Sequence, residues 1–171
     1  MAKLDTYAAM LIDWQSRMNL VGPSTLLDIW GRHFADSAQL YPLAAGRRGI
    51  WLDLGSGAGF PALVMALLGA PNVHLVESTA KNCRFLEAVR DALALDGVTI
   101  HNQRIENLPS LSADIISARA LANLTQLFNW GLRFATPATR WLLPKGEAAS
   151  DEIAAARRKY NFDIDLVPST T

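Results

Sequence analysis

The sequence predicts an α/β fold in which a doubly wound, mostly parallel sheet follows an all-helical N-terminal extension. Short strand-like apolar runs alternate with helical stretches from residue 50 onward, and a glycine-rich loop separates the first run from the first of these helices. Strand and helix alternating at this repeat imply right-handed crossovers between parallel strands. The 171 residues suffice for one domain, with a helical extension over 1–46 and an α/β core over 50–171.

Two amphipathic helices are predicted in the extension. Apolar side chains of residues 4–18 recur at helical spacing, whereas Asp5, Asp13 and Arg17 lie on the opposite face. Pro23 and Ser24 signal the start of a second helix that runs to about Leu40.

The core is predicted as five strands joined by helices, with one more helix and strand at the end. Strands are expected at residues 50–54, 73–77, 98–102, 114–118 and 140–143, and helices at 60–68, 80–95 and 121–134. A last helix over 150–160 has acidic residues in its first turn and basic residues in its last, as the helix dipole favours. A short strand is expected at 162–167.

The composition indicates a compact cytoplasmic protein. Sixteen basic residues balance sixteen acidic ones, so the overall charge does not favour nucleic acid and a local basic patch would have to bind it. The longest apolar stretch, 60–68, is far shorter than the roughly 20 residues of a membrane-spanning helix, and the N-terminus lacks the pattern of an export signal. A single cysteine, Cys83, excludes an intrachain disulfide and a cysteine metal cluster, and no metal site is predicted.

The glycine loop is the most informative motif. Glycines at 55, 57 and 59 permit positive φ and let the backbone approach a ligand closely. A dinucleotide-binding G-x-G-x-x-G pattern would place its third glycine at position 60, where Phe60 stands. The carboxylate of Asp53 would repel a pyrophosphate but suits a cationic ligand, and S-adenosylmethionine carries a sulfonium and an ammonium.

Glu77 ends the second predicted strand, where an acidic side chain can accept hydrogen bonds from ribose hydroxyls. This feature alone does not separate NAD from S-adenosylmethionine. The alternative interpretation is that the glycines only form a tight turn and the acids only cap or face solvent.

Several methyl-transfer chemistries can be compared with the residues present. Cys83 lies in the helix after strand two and is interpreted as a small core residue, which disfavours a cysteine-dependent cytosine methyltransferase. Residues 116–120 lack the N-P-P-Y-like turn of exocyclic-amine methyltransferases. A ring nitrogen such as guanine N7 needs only alignment and desolvation. Arg119 could contact guanine O6, a phosphate or the cofactor, with a rim ion pair as the alternative.

An ordered set of short motifs resembles the bacterial small-subunit ribosomal RNA guanine-N7 methyltransferase G family, also called glucose-inhibited division protein B. The motifs are Arg32-His33-x-x-Asp36-Ser37, Asp53-Leu54-Gly55-Ser56-Gly57-Ala58-Gly59-Phe60-Pro61, Lys81-x-x-x-Phe85-Leu86, Arg104-Ile105-Glu106, Ser117-Ala118-Arg119-Ala120 and Pro144-Lys145-Gly146. The resemblance implies a Rossmann-like class I methyltransferase fold and methyl transfer from S-adenosylmethionine to N7 of a guanosine in 16S rRNA.

The resemblance also implies roles for individual residues. Gly55 and Phe60 would hold the cofactor from the glycine loop, Ile105 and Glu106 would flank its adenine, and Arg119 would contact it from the fourth strand. With Gly57 of the same loop and Glu77 at the end of the second strand, these residues form the predicted cofactor site.

Substrate contacts are predicted from the second helix and from the Pro-Lys-Gly motif. Arg32 and Asp36 are spaced as an i,i+4 ion pair, but the resemblance places them near the mouth of the site together with His33. Arg32, Asp36 and Lys145 are the substrate candidates. No catalytic acid or base is identified, and Arg119 and His33 are candidates for positioning.

The expected partner is 16S rRNA or the small ribosomal subunit, bound by a monomer. The family usually has a terminal strand pair, whereas this chain stops at residue 171 after one candidate strand, so either a truncated C-terminus or disorder beyond that strand is expected. Two alternatives stay open at this point. One is a small-molecule methyltransferase, which the zero net charge favours, and the other is a non-catalytic ribosome-assembly factor.

Overall fold

The computed structural model describes residues 2–44 and 46–171, and its centre is a five-stranded parallel sheet. The strand order is β3-β2-β1-β4-β5, and every pairing is parallel. The strands are β1 (Trp51–Leu54), β2 (Val73–Glu77), β3 (Val98–Asn102), β4 (Ala113–Ser117) and β5 (Ala135–Leu142). The predicted parallel sheet is confirmed, and the carboxyl ends of all five strands meet at one edge.

The α-helices occur where the sequence predicts them but are mostly shorter. They are α1 (Ala2–Gln15), α2 (Asp36–Ala38), α3 (Ala62–Leu67), α4 (Ala80–Ala92), α5 (Leu124–Gly131) and α6 (Ala149–Arg157). Helix α5 begins three residues later than predicted because the Asn123 side chain caps it by accepting from the N–H of Gln126 at 2.9 Å. No helix in the described ranges is long and apolar enough to cross a membrane.

The helices cover both faces of the sheet. Helices α1, α3 and α4 share one apolar cluster with one face, in which Tyr7, Leu11 and Phe85 are fully buried. The other face contributes alternate strand residues, Leu52 and Leu54 among them, to a second cluster. Burial on both faces explains why β1 has four consecutive buried residues instead of an alternating pattern.

The predicted second helix of the extension is not one continuous α-helix. A 3-10 helix (Pro23–Asp28) leads into a π-helix (Trp30–Ala35) and then into the single turn of α2. The Asp28 carboxylate accepts from the N–H of Gly31 at 3.0 Å, which satisfies a backbone group that a regular helix would pair internally. The extension is helical as expected, but its geometry follows side-chain bonds and tertiary packing.

The strand predicted at 162–167 is wrong. These residues have no regular secondary structure, and Ile164, Leu166 and Val167 are exposed by 37, 70 and 59%. A strand is stabilised by a neighbouring ladder and a buried face, and this segment has neither in the described part of the chain.

Candidate functional site

The glycine loop lies at the carboxyl edge of the sheet and is tied to β2 by its backbone. The N–H groups of Gly55 and Ser56 donate to the carbonyl of Val76 at 2.9 and 3.1 Å. The N–H of Gly57 donates to a carboxylate oxygen of Glu77 at 2.9 Å. The loop is therefore held rigidly between the first two strands.

The first two glycines face the crevice at this edge. Gly55 and Gly57 have φ of 68° and 55°, in the left-handed region that favours glycine. A Cβ on Gly57 would meet nothing closer than 4.0 Å, whereas one on Gly55 would lie 2.6 Å from Cδ1 of Leu121. Open space therefore lies above Gly57, and the β4–α5 loop crosses above Gly55.

The third glycine faces the protein interior. Gly59 has φ of 91°, and a Cβ there would lie 2.5 Å from Cδ1 of Leu63 and 2.7 Å from the Tyr7 hydroxyl. The next residue, Phe60, is only 3% exposed, and its ring stacks on Tyr7 and on His33 with centroids 5.1 and 5.0 Å apart. The predicted contact of Phe60 with a cofactor is thus restricted to its backbone, because its ring is in the core.

Glu77 has both carboxylate oxygens turned toward backbone. One accepts from Gly57 as described, and the other accepts from the N–H of Thr79 at 2.7 Å. The Asn102 side chain of the next strand donates to the Glu77 carbonyl at 3.2 Å. Each oxygen keeps a further lone pair, so Glu77 can support the loop and still accept a hydroxyl.

Asp53 lies within β1, and its side chain is buried, with only 1% exposed. Its Oδ1 accepts from the Ser117 hydroxyl at 2.6 Å, and the Trp51 indole donates to the same hydroxyl oxygen at 2.8 Å. Burial raises the pKa of Asp53 to about 7, although hydrogen bonds from Ser117 and Ser56 lower it in part. Its Oδ2 is buried without a hydrogen-bond partner.

Arg119 follows β4 and is fixed by the N-terminal extension. One guanidinium nitrogen donates to the carbonyl of Arg32 at 3.1 Å and contacts the Asp36 carboxylate at 3.4 Å. The other lies 2.8 Å from Nδ1 of His33, and the guanidinium carbon is 5.2 Å from the centroid of Phe60. The structure therefore brings Arg119, His33, Asp36 and Phe60 together.

The i,i+4 ion pair considered for the second helix does not form. Asp36 pairs with Arg119, and the side chains of these two residues are 22 and 19% exposed. The Arg32 side chain is exposed, and only its backbone carbonyl takes part in this cluster. The carbonyl of Arg32 in the π-helix and the carboxylate of Asp36 in α2 therefore both bind the arginine that follows β4.

Lys145 is engaged within the protein. Its ammonium donates to the carbonyl of Ala122 at 2.7 Å and pairs with Glu152 of α6 at 2.7 Å. The same Glu152 oxygen accepts from the N–H of Leu124 at the start of α5 at 2.7 Å. Lys145 thus fastens the β4–α5 loop to α6, which is a structural role that the sequence interpretation did not anticipate.

The segment after β3 lies near Glu77 because β2 and β3 are neighbours. Ile105 is 8% exposed and packs in the second apolar cluster, whereas the Glu106 side chain is exposed. Arg133 holds this turn by donating to the carbonyls of Glu106 and Leu108, both at 2.8 Å. The predicted adenine-flanking pair is therefore at the same sheet edge as the glycine loop.

Cys83 is a core residue, as interpreted from the sequence. It is 3% exposed, and its thiol donates to the Glu77 carbonyl at 3.3 Å. Burial raises the pKa of this thiol to about 11, so it carries no thiolate at neutral pH.

Three residues of the site were not identified from the sequence. Ser117 could have been found, because parallel pairing of β1 with β4 places it opposite Asp53. Thr25, which bonds His33, and Leu121, which covers Gly55, are brought in by irregular segments without periodicity. No local pattern marks either of them.

A family model described as rRNA small subunit methyltransferase G matches residues 1–169. The ribosomal RNA small subunit methyltransferase G of Paramagnetospirillum magneticum is 46% identical over 170 residues, which cover 99% of this chain and 82% of that protein. Identity at this level over nearly the whole chain far exceeds a likeness of fold alone.

Solved structures agree on the fold. A ribosomal protein L11 methylase from Lactobacillus delbrueckii subsp. bulgaricus has a TM-score of 0.64 at 20% identity, covering 79% of this chain and 73% of that one. A SAM-dependent O-methyltransferase from Thermotoga maritima has a TM-score of 0.64 at 15% identity, covering 87% and 54%. The predicted class I methyltransferase fold is confirmed.

Proposed function

Because the chain belongs to the rRNA small subunit methyltransferase G family, we propose that it transfers a methyl group from S-adenosylmethionine to N7 of a guanosine in 16S rRNA. The observation that carries the proposal is the sheet edge itself. There, open space lies above Gly57, the N–H of Gly57 is bonded to the Glu77 carboxylate at the end of β2, and Arg119 follows β4 on the other side of β1. Open α/β sheets bind their ligands at this edge.

The residues at the edge fit S-adenosylmethionine. When bound, this cofactor supplies an electrophilic methyl group on a sulfonium. The left-handed backbone of Gly55 and Gly57 would hold its amino-acid part, and Glu77 would accept from its ribose hydroxyls. Burial raises the pKa of Asp53 to about 7, so this carboxyl is partly neutral at neutral pH, and a bound cationic ligand would favour its charged form.

The remaining cofactor contacts are proposed from the turn after β3, from the loop backbone and from β4. Ile105 and Glu106 would flank the adenine, since they follow the strand beside Glu77. Phe60 would contribute its backbone, and Arg119 would contact the cofactor from the end of β4.

The chemistry at guanine N7 asks little of the protein beyond alignment. The in-plane lone pair of N7 attacks without a general base, so the side chains need to orient the base and exclude water. His33 is not suited to act as a base, because both ring nitrogens are engaged and burial lowers its pKa to about 4. We assign positioning to Arg119 and His33.

Substrate contact is proposed for the exposed part of the extension. Arg32 is exposed beside the carbonyl that binds Arg119, so its guanidinium can meet an RNA phosphate. Asp36 acts through Arg119. Lys145 would act by holding the β4–α5 loop, which is the role that its two contacts support.

The test is incubation with methyl-labelled S-adenosylmethionine and small ribosomal subunits that lack the modification. We expect the label in 16S rRNA at a single guanosine. Strand cleavage specific for N7-methylated guanosine should occur at this position. Label only in small metabolites would favour a small-molecule methyltransferase, and tight cofactor binding without transfer would favour an assembly factor. Naked 16S rRNA in a parallel reaction decides whether the assembled particle is required.

We also predict that the protein is a cytoplasmic monomer that binds no metal, and three measurements test its oligomeric state, compartment and metal content. Light scattering after gel filtration measures the first, fractionation of the host cell the second, and elemental analysis of the purified protein the third.

A further inference from the structure

We propose that Thr25 and His33 are positioning residues that set the orientation of Arg119 through a chain of hydrogen bonds with a fixed direction. This inference rests on the proposed function, because it concerns the residue placed at the cofactor. Neither Thr25 nor the direction of the chain follows from the sequence motifs.

The direction of the chain is fixed by chemistry. A guanidinium only donates, so His33 Nδ1, 2.8 Å from Arg119, must be an unprotonated acceptor. The neutral ring then carries its proton on Nε2, which lies 2.8 Å from the Thr25 hydroxyl oxygen. The Thr25 hydroxyl in turn donates to the Gly22 carbonyl at 2.7 Å.

The surroundings leave the His33 ring little freedom. His33 is 6% exposed, and its plane is 24° from that of Phe60 at a centroid distance of 5.0 Å. Phe60 also supports the guanidinium of Arg119. The ring and the guanidinium therefore lie on one aromatic surface, and their mutual bond depends on which ring nitrogen carries the proton.

The Thr25 hydroxyl helps to determine which nitrogen of the His33 ring carries the proton. An acceptor at Nε2 favours the tautomer protonated there, since burial makes an unsatisfied N–H costly. Without the Thr25 hydroxyl, the tautomer protonated at Nδ1 becomes accessible and presents a donor to the donors of Arg119. The remaining hydrogen-bond partners of Arg119 are a carbonyl at 3.1 Å and the carboxylate of Asp36, whose side chain is 22% exposed, at 3.4 Å, and these longer contacts fix it less closely.

The experiment compares Thr25→Val with Thr25→Ser. Valine keeps the shape of threonine without the hydroxyl, and serine keeps the hydroxyl. Long-range proton–nitrogen NMR of the histidine rings is expected to show His33 protonated at Nε2 in the wild type and in Thr25→Ser, and a mixture of tautomers in Thr25→Val. We expect Thr25→Val to lower kcat/KM on small subunits about tenfold, which corresponds to losing one hydrogen bond.

A second pair acts at the histidine itself. The side-chain oxygen of His33→Asn can take the acceptor position of Nδ1, whereas His33→Leu fills the space without an acceptor. We expect His33→Asn to keep activity within about threefold, and His33→Leu to fall about thirtyfold, near the level expected for loss of the Arg119 contact. Circular dichroism and thermal melts show which variants are folded.

Failure of this inference and failure of the proposed function give different results. Unchanged tautomer and activity in a folded Thr25→Val, or equal activities of His33→Asn and His33→Leu, would overturn the inference. If Thr25→Val does not fold, the His33 pair still decides. A wild type that binds no S-adenosylmethionine and methylates no RNA would contradict the proposed function, whereas the tautomer measurement would still report on the chain of bonds.

Discussion

The two ends of the glycine loop lie in different surroundings, although the same residue type repeats through both. The end with Gly55 and Gly57 faces the crevice, and its backbone is bonded to β2. The end with Gly59 and Phe60 is buried under α1 and the π-helix, where aromatic rings from three segments pack against one another.

The comparison shows that one motif combines two requirements. At Gly57 the missing side chain leaves space for a ligand, whereas at Gly59 it leaves space for Tyr7 and Leu63. The N-terminal extension is therefore part of the site, because the same contacts that bury Phe60 also place His33 beside Arg119. Variants at the two ends should separate folding from cofactor binding.

The largest effect is expected for Gly59→Ala. Its Cβ would overlap Leu63 and the Tyr7 hydroxyl at a φ of 91°, so overpacking and backbone strain add to a loss of about 2–5 kcal/mol in the free energy of unfolding. Denaturant unfolding measures this loss. The Tyr7→Phe, Gly59→Ala double variant removes one of the overlapping atoms, and it should recover part of the stability. If Gly59→Ala is as stable as wild type and the double variant gains no stability over Gly59→Ala, the packing role of Gly59 is contradicted.

Arg119→Ala should affect activity more than folding. It removes the contacts to His33, Asp36 and the Arg32 carbonyl, and we expect kcat/KM to fall about 10- to 100-fold. Methylation of small subunits at several cofactor concentrations measures this change. Arg17→Ala is a matched control, because Arg17 pairs with Asp13 with side chains 69 and 57% exposed. An Arg119→Ala protein that unfolds would show that the residue is structural.

Gly57→Ala should weaken cofactor binding with a modest change in stability. The added methyl group enters open space, but in the path proposed for the ligand, and we expect affinity for S-adenosylmethionine to fall about tenfold. Calorimetric titration measures the affinity. Gly46→Ala is the control, since Gly46 also has a positive φ of 73° and open space around it. Equal affinities of the two variants would remove Gly57 from the site.

The sequence is a better guide to the sheet than to the layer that covers the site. Each core strand was predicted because apolar runs and stop signals are local, and the loop followed from its glycines, but β5 begins at Ala135, five residues before its predicted start, because its first half is mostly exposed. The resemblance added Ile105 and Glu106, which no periodicity marks. The site residues could therefore be assigned to a sheet edge before any distance was known.

What could not be predicted depends on packing between distant segments. The alternation of 3-10, π and α geometry over residues 23–38 follows from side-chain bonds such as Asp28 to Gly31 and from burial of Phe34. The engagement of Lys145 depends on the carbonyl of Ala122, 23 residues earlier in the β4–α5 loop. Long-range contacts of this kind leave no pattern in a single sequence.

The most gradual expected effect is a pair of opposite pH dependences from His33 and Asp53. Burial, and then the charge of Arg119, lower the pKa of His33 from 6.5 to about 4, against the opposing charges of Asp36 and Asp28 and with Arg32 adding to the decrease. Its contribution to stability is fully present above pH 6.5 and is lost as pH falls through about 4. The stability difference between wild type and His33→Asn should therefore shrink as pH falls across this window.

Asp53 should behave in the opposite sense. Burial raises its pKa from 3.8 to about 7, so its contribution is fully present below pH 3.8 and is lost as pH rises through about 7. The stability difference between wild type and Asp53→Asn should shrink as pH rises, and denaturant unfolding at pH steps from 4 to 8 measures both slopes. Two slopes of the same sign would contradict the assignment of a buried histidine with a lowered pKa and a buried carboxyl with a raised pKa. If the stability difference between wild type and His33→Asn does not change with pH, the His33 ring is hydrated. A hydrated ring would also form a weaker hydrogen bond with Arg119.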